Sequence, residues 1–144
     1  MSCRLFIDSS VLFAAAYSTR GHAHDLIQMG IRGQVTLVIS RLVLEETRRN
    51  LAASAPEGLP ALERLLDNLS VEIVQPSKEE VLAAAEHTAL KDAPILAAAR
   101  AGNVDILVTL DRKHLLGKPN HEAYAQVLIR TPGDTYREIT KAKK

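Results

Sequence analysis

Residues 4–12, which read RLFIDSSVL, decide the fold of this chain. Arg4–Ile7 is a short, mostly apolar run without proline, as expected of a buried strand. Asp8 follows that strand directly. Ligands of open parallel sheets bind at the carboxyl ends of the strands. An acidic side chain at such a position is therefore a candidate functional residue.

Further short apolar runs alternate with longer helical patterns along the rest of the chain. The predicted strands are Arg4–Ile7, Val35–Ile39, Val71–Val74, Ile106–Thr109 and Gln126–Ile129. They are rich in Val, Ile and Leu, which is typical of strands buried on both faces. This alternation predicts an α/β fold, with a mainly parallel sheet of about five strands covered by helices on both faces.

Helix start and stop signals fill the gaps between these strands. Ser77 and Glu80 form a capping-box pattern, and Gly102 is a favourable helix C-terminus. The predicted helices are His22–Arg32, a helix from the cap Ser40 through Leu51, Leu59–Leu69, Lys78–Leu90, Asp92–Ala101 and Asp134–Lys141.

Size and composition restrict the class of protein. The 144 residues suit one domain, 1–144, with a frayed basic tail at 141–144. Bulk charge is uninformative, with 18 basic and 17 acidic residues. Cys3 is the only cysteine, which excludes a disulfide framework and a cysteine-based zinc site and favours a reducing cytoplasm. No apolar stretch approaches the roughly 20 residues that cross a bilayer, and we assign Val11–Ala16 to the fold rather than to a signal peptide.

Four acidic residues can reach the same edge of the predicted sheet. Asp8 follows the first strand, Asp111 follows the fourth, Asp92 begins a helix, and Glu46 lies early in the helix after the second strand. Each alone has an ordinary interpretation: a helix cap for Asp8 or Asp92, a solvated helix residue for Glu46, a turn for Asp111. Together they repel one another unless protons or cations neutralise them. The oxygen-rich set predicts Mg²⁺ or Mn²⁺, and such a site suits hydrolysis of a phosphodiester by activated water.

Four motifs in order resemble the PIN-domain nucleases. They are FIDSSVL at 6–12, Ser40 with Glu46 six residues later, KDAPILAAA at 91–99, and LVTLD at 107–111. The match spans residues 4–115, and Thr131-Pro132-Gly133-Asp134 resembles the closing segment of the family. The resemblance implies a three-layer α/β/α fold, Mg²⁺- or Mn²⁺-dependent ribonuclease activity on an RNA substrate, and kinship with VapC-type toxins of type II toxin–antitoxin pairs.

By position in these motifs, Asp8, Glu46 and Asp92 match the three central acids of the family, and Asp111 matches the fourth, more variable one. Ser10 replaces a frequent asparagine, although its hydroxyl can still orient Asp8 or a water. Thr109 occupies the family's threonine position, where it can bond a ligand carboxylate.

Two positions are ambiguous. His114 lies where many relatives have an additional acid, which leaves a second metal position open. Glu45 beside Glu46 introduces a choice of register, because neighbours on a helix point about 100° apart. We choose Glu46 from its spacing to Ser40.

Basic and histidine side chains near the acids have two interpretations each. Lys91, Arg112 and Lys113 either contact RNA phosphates or belong to a solvated face, whereas for Arg41, Arg48 and Arg49 the solvated face is favoured. His22 and His24 form a His-x-His pair, but residues two apart diverge on a helix, so we favour a structural role over metal binding.

Partners follow from the resemblance. We expect an antitoxin whose arm covers the acids and places an arginine among them, and a homodimer. The alanine-rich stretches Ala83–Ala85 and Ala97–Ala99 indicate either close helix packing in the core or a dimer interface.

Other functions fit less well. A phosphatase of the haloacid dehalogenase type needs a second acid where this chain has Ser10, and no glycine-rich dinucleotide motif follows a strand. The remaining alternative is a non-catalytic PIN-like module that binds RNA or protein. Retention of all four acids argues against it, because negative charge repels phosphate.

Overall fold

A parallel β-sheet forms the centre of the molecule. The computed structural model describes residues 3–142 of the chain. The strands are β1 (Cys3–Ile7), β2 (Val35–Ser40), β3 (Glu72–Val74), β4 (Ile106–Val108) and β5 (Leu128–Arg130). Their order is β3-β2-β1-β4-β5 and every pairing is parallel. β1 therefore lies between β2 and β4 at the centre of the sheet.

Helices fill the connections and cover the sheet. They are α1 (Ser9–Tyr17), α2 (His22–Ile31), α3 (Arg41–Ser54), α4 (Leu59–Asn68), α5 (Lys78–Ala84), α6 (Ala93–Ala101), α7 (Pro119–Ala125) and α8 (Pro132–Ala142), with a 3-10 turn at Pro56–Gly58. α1 contacts α2, α3 and α4, and α8 contacts α2, whereas α6 contacts α5 and α7. These two groups of helices form two layers, and the predicted α/β/α sandwich is confirmed.

The core is apolar and the alanine-rich helix belongs to it. Leu5, Phe6 and Ile7 of β1 are fully buried. The small side chains of Ala97–Ala99 are buried as well, which allows α6 to approach its neighbours closely. The core interpretation of this stretch is therefore correct for the single chain.

All five predicted strands are present, with corrected boundaries: β1 begins at Cys3, β2 ends at Ser40 and β3 begins at Glu72. β4 ends at Val108 rather than Thr109. β5 begins at Leu128 rather than Gln126, because Gln126 has a left-handed backbone (φ 58°) that ends α7. The prediction that every strand is buried was wrong for the two edge strands, since Glu72 and Ile73 of β3 and Leu128 of β5 are exposed.

The helix predictions omit two elements. α1 contains Val11–Ala16, and apolar residues surround the helix so evenly that no amphipathic period marks it. α7 has only 7 residues. The helix predicted over Lys78–Leu90 ends at Ala84, since turns follow it.

Two expectations concern the chain end and the membrane. α8 includes Lys141 and Ala142, and the rest of the predicted tail, Lys143 and Lys144, lies outside the described residues. Between residues 3 and 142, none of the helices has the length and apolar character that crossing a membrane requires.

Candidate metal centre

Asp8 is held at the junction between β1 and α1. Its side chain is only 6% exposed. Oδ1 accepts a hydrogen bond from the Ser9 backbone N–H at 2.8 Å and so caps α1, while Oδ2 accepts from the Thr109 hydroxyl at 2.7 Å and the Ser10 hydroxyl at 3.1 Å. Burial raises the pKa of Asp8 and the nearby charge of Asp111 raises it further, although the three hydrogen bonds act in the opposite direction. Helix capping therefore accounts for only one of its two oxygens.

The hydroxyls of Ser10 and Thr109 connect Asp8 to the loop after β4. Besides donating to Asp8, Thr109 Oγ1 accepts from the Asp111 backbone N–H at 3.0 Å. Ser10 Oγ accepts from the Leu110 backbone N–H at 3.1 Å. This network fixes the start of the β4 loop, and hence Asp111, relative to Asp8.

Asp92, Asp111 and His114 form a close group on this edge. One ligand atom from each lies within 4.8 Å of the others. Asp111 Oδ1 accepts from the backbone N–H groups of Lys113 at 3.1 Å and His114 at 2.9 Å, and Asp111 Oδ2 lies 3.3 Å from His114 Nδ1. Asp92 precedes α6 but makes no side-chain capping bond. The structure therefore does not support the interpretation of Asp92 as a helix cap.

Glu46 lies near Asp8, and Glu45 does not share its environment. Ser40 caps α3 by accepting from the Val43 N–H at 3.2 Å, which sets the register of the helix. Glu46 is half-buried and Glu45 is exposed. Burial raises the pKa of Glu46, and the charge of Asp8 raises it further, against an opposing effect of Arg49. Of the two glutamates, Glu46 is the one that interacts with another predicted acid.

The residues present fit a divalent cation. Asp92 is only 9% exposed, and its Oδ2 is buried without a hydrogen-bond partner. An unsatisfied buried carboxylate oxygen is unfavourable, and a cation removes that penalty. Carboxylate oxygens are preferred ligands of Mg²⁺ and Mn²⁺. When bound, such an ion supplies charge neutralisation at a phosphate and activation of a water. Asp8 and Glu46 lie outside this close group. The charge of Asp111 acts on Asp8, and the charge of Asp8 acts on Glu46.

The basic residues around these acids differ in their environment. Lys91, Arg112 and Lys113 are exposed. Leu110 and Arg112, the sequence neighbours of Asp111, line a cleft together with Tyr17 and Arg20. Arg48 instead pairs with Glu63 at 2.9 Å on an exposed surface, as the solvated-face interpretation expects.

The His-x-His pair has structural contacts. His24 Nδ1 lies 3.1 Å from the Ala15 carbonyl oxygen and His24 Nε2 lies 3.2 Å from Gln28 Nε2, so both ring nitrogens are used. The ring of His22 stacks on Tyr136 with centroids 5.0 Å apart. Among residues 3–142, Asp92, Asp111 and His114 are the group that can hold a metal, and neither histidine of the pair belongs to it.

Comparison with known proteins identifies the family. Residues 4–113 match the family model of the PIN domain, a span that covers most of the chain and includes the four predicted acids. The chain belongs to the PIN-domain family. No curated protein sequence is significantly similar to it.

Two solved structures resemble this PIN domain in fold. PAE2754 from Pyrobaculum aerophilum is 20% identical, with a TM-score of 0.66, over 98% of this chain and 98% of that one. VapBC2 from Rickettsia felis, crystallised with a DNA fragment from its promoter, is 16% identical, with a TM-score of 0.62, over 89% of this chain and 98% of that one. At these identities the likeness concerns the fold.

The PIN domain also contains a buried histidine that sequence reasoning missed. His121 is 7% exposed and its Nδ1 has no hydrogen-bond partner. Burial lowers the pKa of His121, Lys118 lowers it further, and the charge of Asp92 opposes both. His121 lies in α7, which the sequence did not reveal, so no motif or spacing indicated it.

Proposed function

We propose that this PIN domain is a Mg²⁺- or Mn²⁺-dependent endoribonuclease that hydrolyses RNA phosphodiesters. The observation that carries the proposal is the buried, unpaired Oδ2 of Asp92 in the close group with Asp111 and His114. A protein gains nothing in stability from such an arrangement unless a cation completes it. Members of the PIN family are generally nucleases, which agrees with this chemistry.

The proposed roles follow the geometry. Asp8, Glu46, Asp92 and Asp111 hold the metal and its waters. Ser10 and Thr109 position Asp8 through the hydrogen bonds to its Oδ2. Burial raises the pKa of Asp8 and of Glu46, and a bound cation would act in the opposite direction because it favours the ionised carboxylates.

An RNA strand has a path beside the acids. The cleft next to Asp111 carries Arg20 and Arg112 for phosphates, and the exposed ring of Tyr17 for a base. Lys91 and Lys113 are exposed nearby and supply further positive charge. We therefore expect RNA binding to weaken with salt.

Cleavage of RNA by the purified protein tests the proposal. We expect product with Mg²⁺ or Mn²⁺, none with a chelator, and a loss of at least about 100-fold in Asp92→Asn, since the ion would lose its buried ligand. Asp67→Asn is the matched control, because Asp67 is exposed on α4, away from the group. Equal activity in Asp92→Asn and in Asp67→Asn would contradict the proposal.

The same assay separates catalysis from binding alone. A non-catalytic PIN-like module would bind RNA without metal, and Asp8→Asn or Asp92→Asn would leave that binding unchanged. It would give no cleavage product with either ion.

We further propose that the protein is the toxin of a type II toxin–antitoxin pair and acts in the cytoplasm. The basis is the resemblance to VapC-type toxins, together with the fold shared with VapBC2. A small antitoxin is then expected to cover the acids, with an arginine among the carboxylates. Induction should arrest growth, Asp92→Asn should not, and co-expression of an antitoxin from the adjacent gene should restore growth. Harmless induction of an active nuclease would exclude the toxin role.

A homodimer is part of this proposal. Because Ala97–Ala99 are buried within the single chain, the dimer contact must use another surface. Light scattering after size-exclusion chromatography is expected to give twice the mass of the chain; a monomeric mass at all concentrations would contradict it.

A further inference from the structure

His114 belongs to the close group but differs chemically from its other members. A ring nitrogen of His114 lies within 4.8 Å of ligand oxygens of Asp92 and Asp111. The His114 backbone is held in the turn after β4, since its N–H donates to Asp111 Oδ1 at 2.9 Å, and its ring Nδ1 lies 3.3 Å from Asp111 Oδ2. The imidazole therefore lies beside the acids and in contact with one of them.

The turn after β4 also determines which carboxylate oxygens are available as metal ligands. Asp111 Oδ1 is occupied by two backbone N–H groups, which leaves Oδ2 free of backbone donors, 3.3 Å from His114 Nδ1. Asp92 Oδ2 is buried without a partner. One carboxylate oxygen each of Asp92 and Asp111 and one ring nitrogen of His114 lie within 4.8 Å of one another, and Asp92 Oδ2 has no hydrogen-bond partner.

An imidazole ligand changes which ion such a site prefers. Mg²⁺ favours oxygen ligands in near-ideal octahedral geometry and keeps several waters. Imidazole nitrogen suits first-row transition metals, whose affinity for mixed nitrogen and oxygen sites rises from Mn²⁺ onward. Replacing a carboxylate by a neutral histidine also removes one negative charge, which weakens binding of a hard ion most.

We propose that His114 is a direct ligand of the metal and biases this site toward Mn²⁺ over Mg²⁺. This inference rests on the proposed function, because it concerns the same metal site. It assigns an ion preference and a ligand that the resemblance to PIN-domain nucleases does not supply.

Pulsed electron paramagnetic resonance of Mn²⁺ bound to the full-length protein tests the ligand directly. Nitrogen of a coordinated imidazole modulates the electron spin echo, and we expect this modulation in the wild type. It should disappear in His114→Ala and His114→Asp and persist in His24→Ala, where the imidazole that is removed contacts Ala15 and Gln28 rather than the acids. Bound Mn²⁺ without nitrogen modulation, modulation that survives in His114→Ala, or no bound Mn²⁺ would each overturn the proposal.

The ion preference has its own readout. Calorimetric titration gives the ratio of the Kd for Mg²⁺ to the Kd for Mn²⁺, and we expect this ratio to fall at least about tenfold in His114→Asp, while His24→Ala keeps the wild-type ratio. An unchanged ratio in His114→Asp, with both ions still bound, would refute the proposed bias.

The two hypotheses fail in different ways. If the wild type binds Mn²⁺ through nitrogen but cleaves no RNA, the result would support His114 as a ligand and contradict the nuclease function. If the wild type cleaves RNA but its bound Mn²⁺ shows no coupling to nitrogen, the result would support the nuclease function and overturn the role of His114.

Discussion

Thr109 is the residue on which the geometry of the acids most depends. Its single hydroxyl donates to Asp8 Oδ2 and accepts from the Asp111 N–H, and it is fully buried. We expect Thr109→Val to lower the free energy of unfolding by about 1–3 kcal/mol, because both partners lose a buried hydrogen bond. Denaturant unfolding measures this. Thr19→Val, at an exposed position, should change it little.

The same substitution has a signature in the pH dependence of cleavage. The Thr109 hydrogen bond lowers the pKa of Asp8, so its removal raises that pKa further. The acid limb of the pH–rate profile should therefore move to higher pH in Thr109→Val. A profile that keeps its position while only the maximal rate falls would contradict the role of Thr109 in keeping Asp8 ionised.

Glu46 gives a second prediction, on stability. Its pKa is raised in the folded state, so folding favours the protonated form, and stability is lost as the pH rises through the folded pKa. In chelator at neutral pH, Glu46→Gln should therefore unfold at a higher temperature than the wild type. The gain should stay below about 1 kcal/mol because the side chain is half-exposed, and it should vanish at a pH below the ordinary glutamate value.

Added Mn²⁺ should reverse that order. The wild type gains about 2.7 kcal/mol when the ion is at 100 times its Kd, whereas Glu46→Gln gains less. Scanning calorimetry with and without the ion measures both effects, with Glu45→Gln as the neighbouring control. Identical melting of the Glu46 and Glu45 variants under all these conditions would mean that Glu46 is not coupled to the site.

The sequence allowed the four acids to be predicted as site residues, but it did not reveal all of the side chains that surround them. Asp8 and Asp111 were predicted because each follows a strand, and the structure shows that the two strands, β1 and β4, are neighbours. The proximity of His114 to Asp92 could not be derived, since it depends on the turn after β4 and on where α6 begins. His121 was missed because its helix was missed.

At the scale of elements, close packing between α2 and β2 can be tested. A Cβ added to Gly30 would lie 2.5 Å from Leu37 Cδ1, in a fully buried part of β2. Gly30→Ala should destabilise the protein by about 1–3 kcal/mol through overpacking, although alanine has the higher helix propensity. The measurement is denaturant unfolding. In Gly30→Ala/Leu37→Val the two costs should be less than additive, and strict additivity would exclude this contact as the cause.

Elements with strong local signals were predictable from the sequence. The capping box of Ser77 and Glu80 is present, and α6 runs between Asp92 and Gly102. α1 was missed because its apolar residues do not follow one face, and the end of α5 was misplaced because nothing local marks the turns after Ala84. Tertiary packing, rather than propensity, decides these segments.

At the scale of the whole molecule, topology explains why distant acids meet. The parallel strands β2, β1 and β4 are adjacent, so the segments that follow them emerge at one edge of the sheet. Glu46, Asp8 and Asp111 come from those segments, and Asp92 reaches the same edge from the start of α6. We propose that a metal ion relieves the repulsion in this concentration of negative charge.

A crystal soaked in Mn²⁺ tests this most directly, because anomalous scattering locates the ion without reference to activity. We predict an anomalous peak within about 2.5 Å of carboxylate oxygens of both Asp92 and Asp111. Crystals that take up Mn²⁺ elsewhere but show no peak between these two side chains would contradict the metal centre, and with it the proposed hydrolysis of RNA.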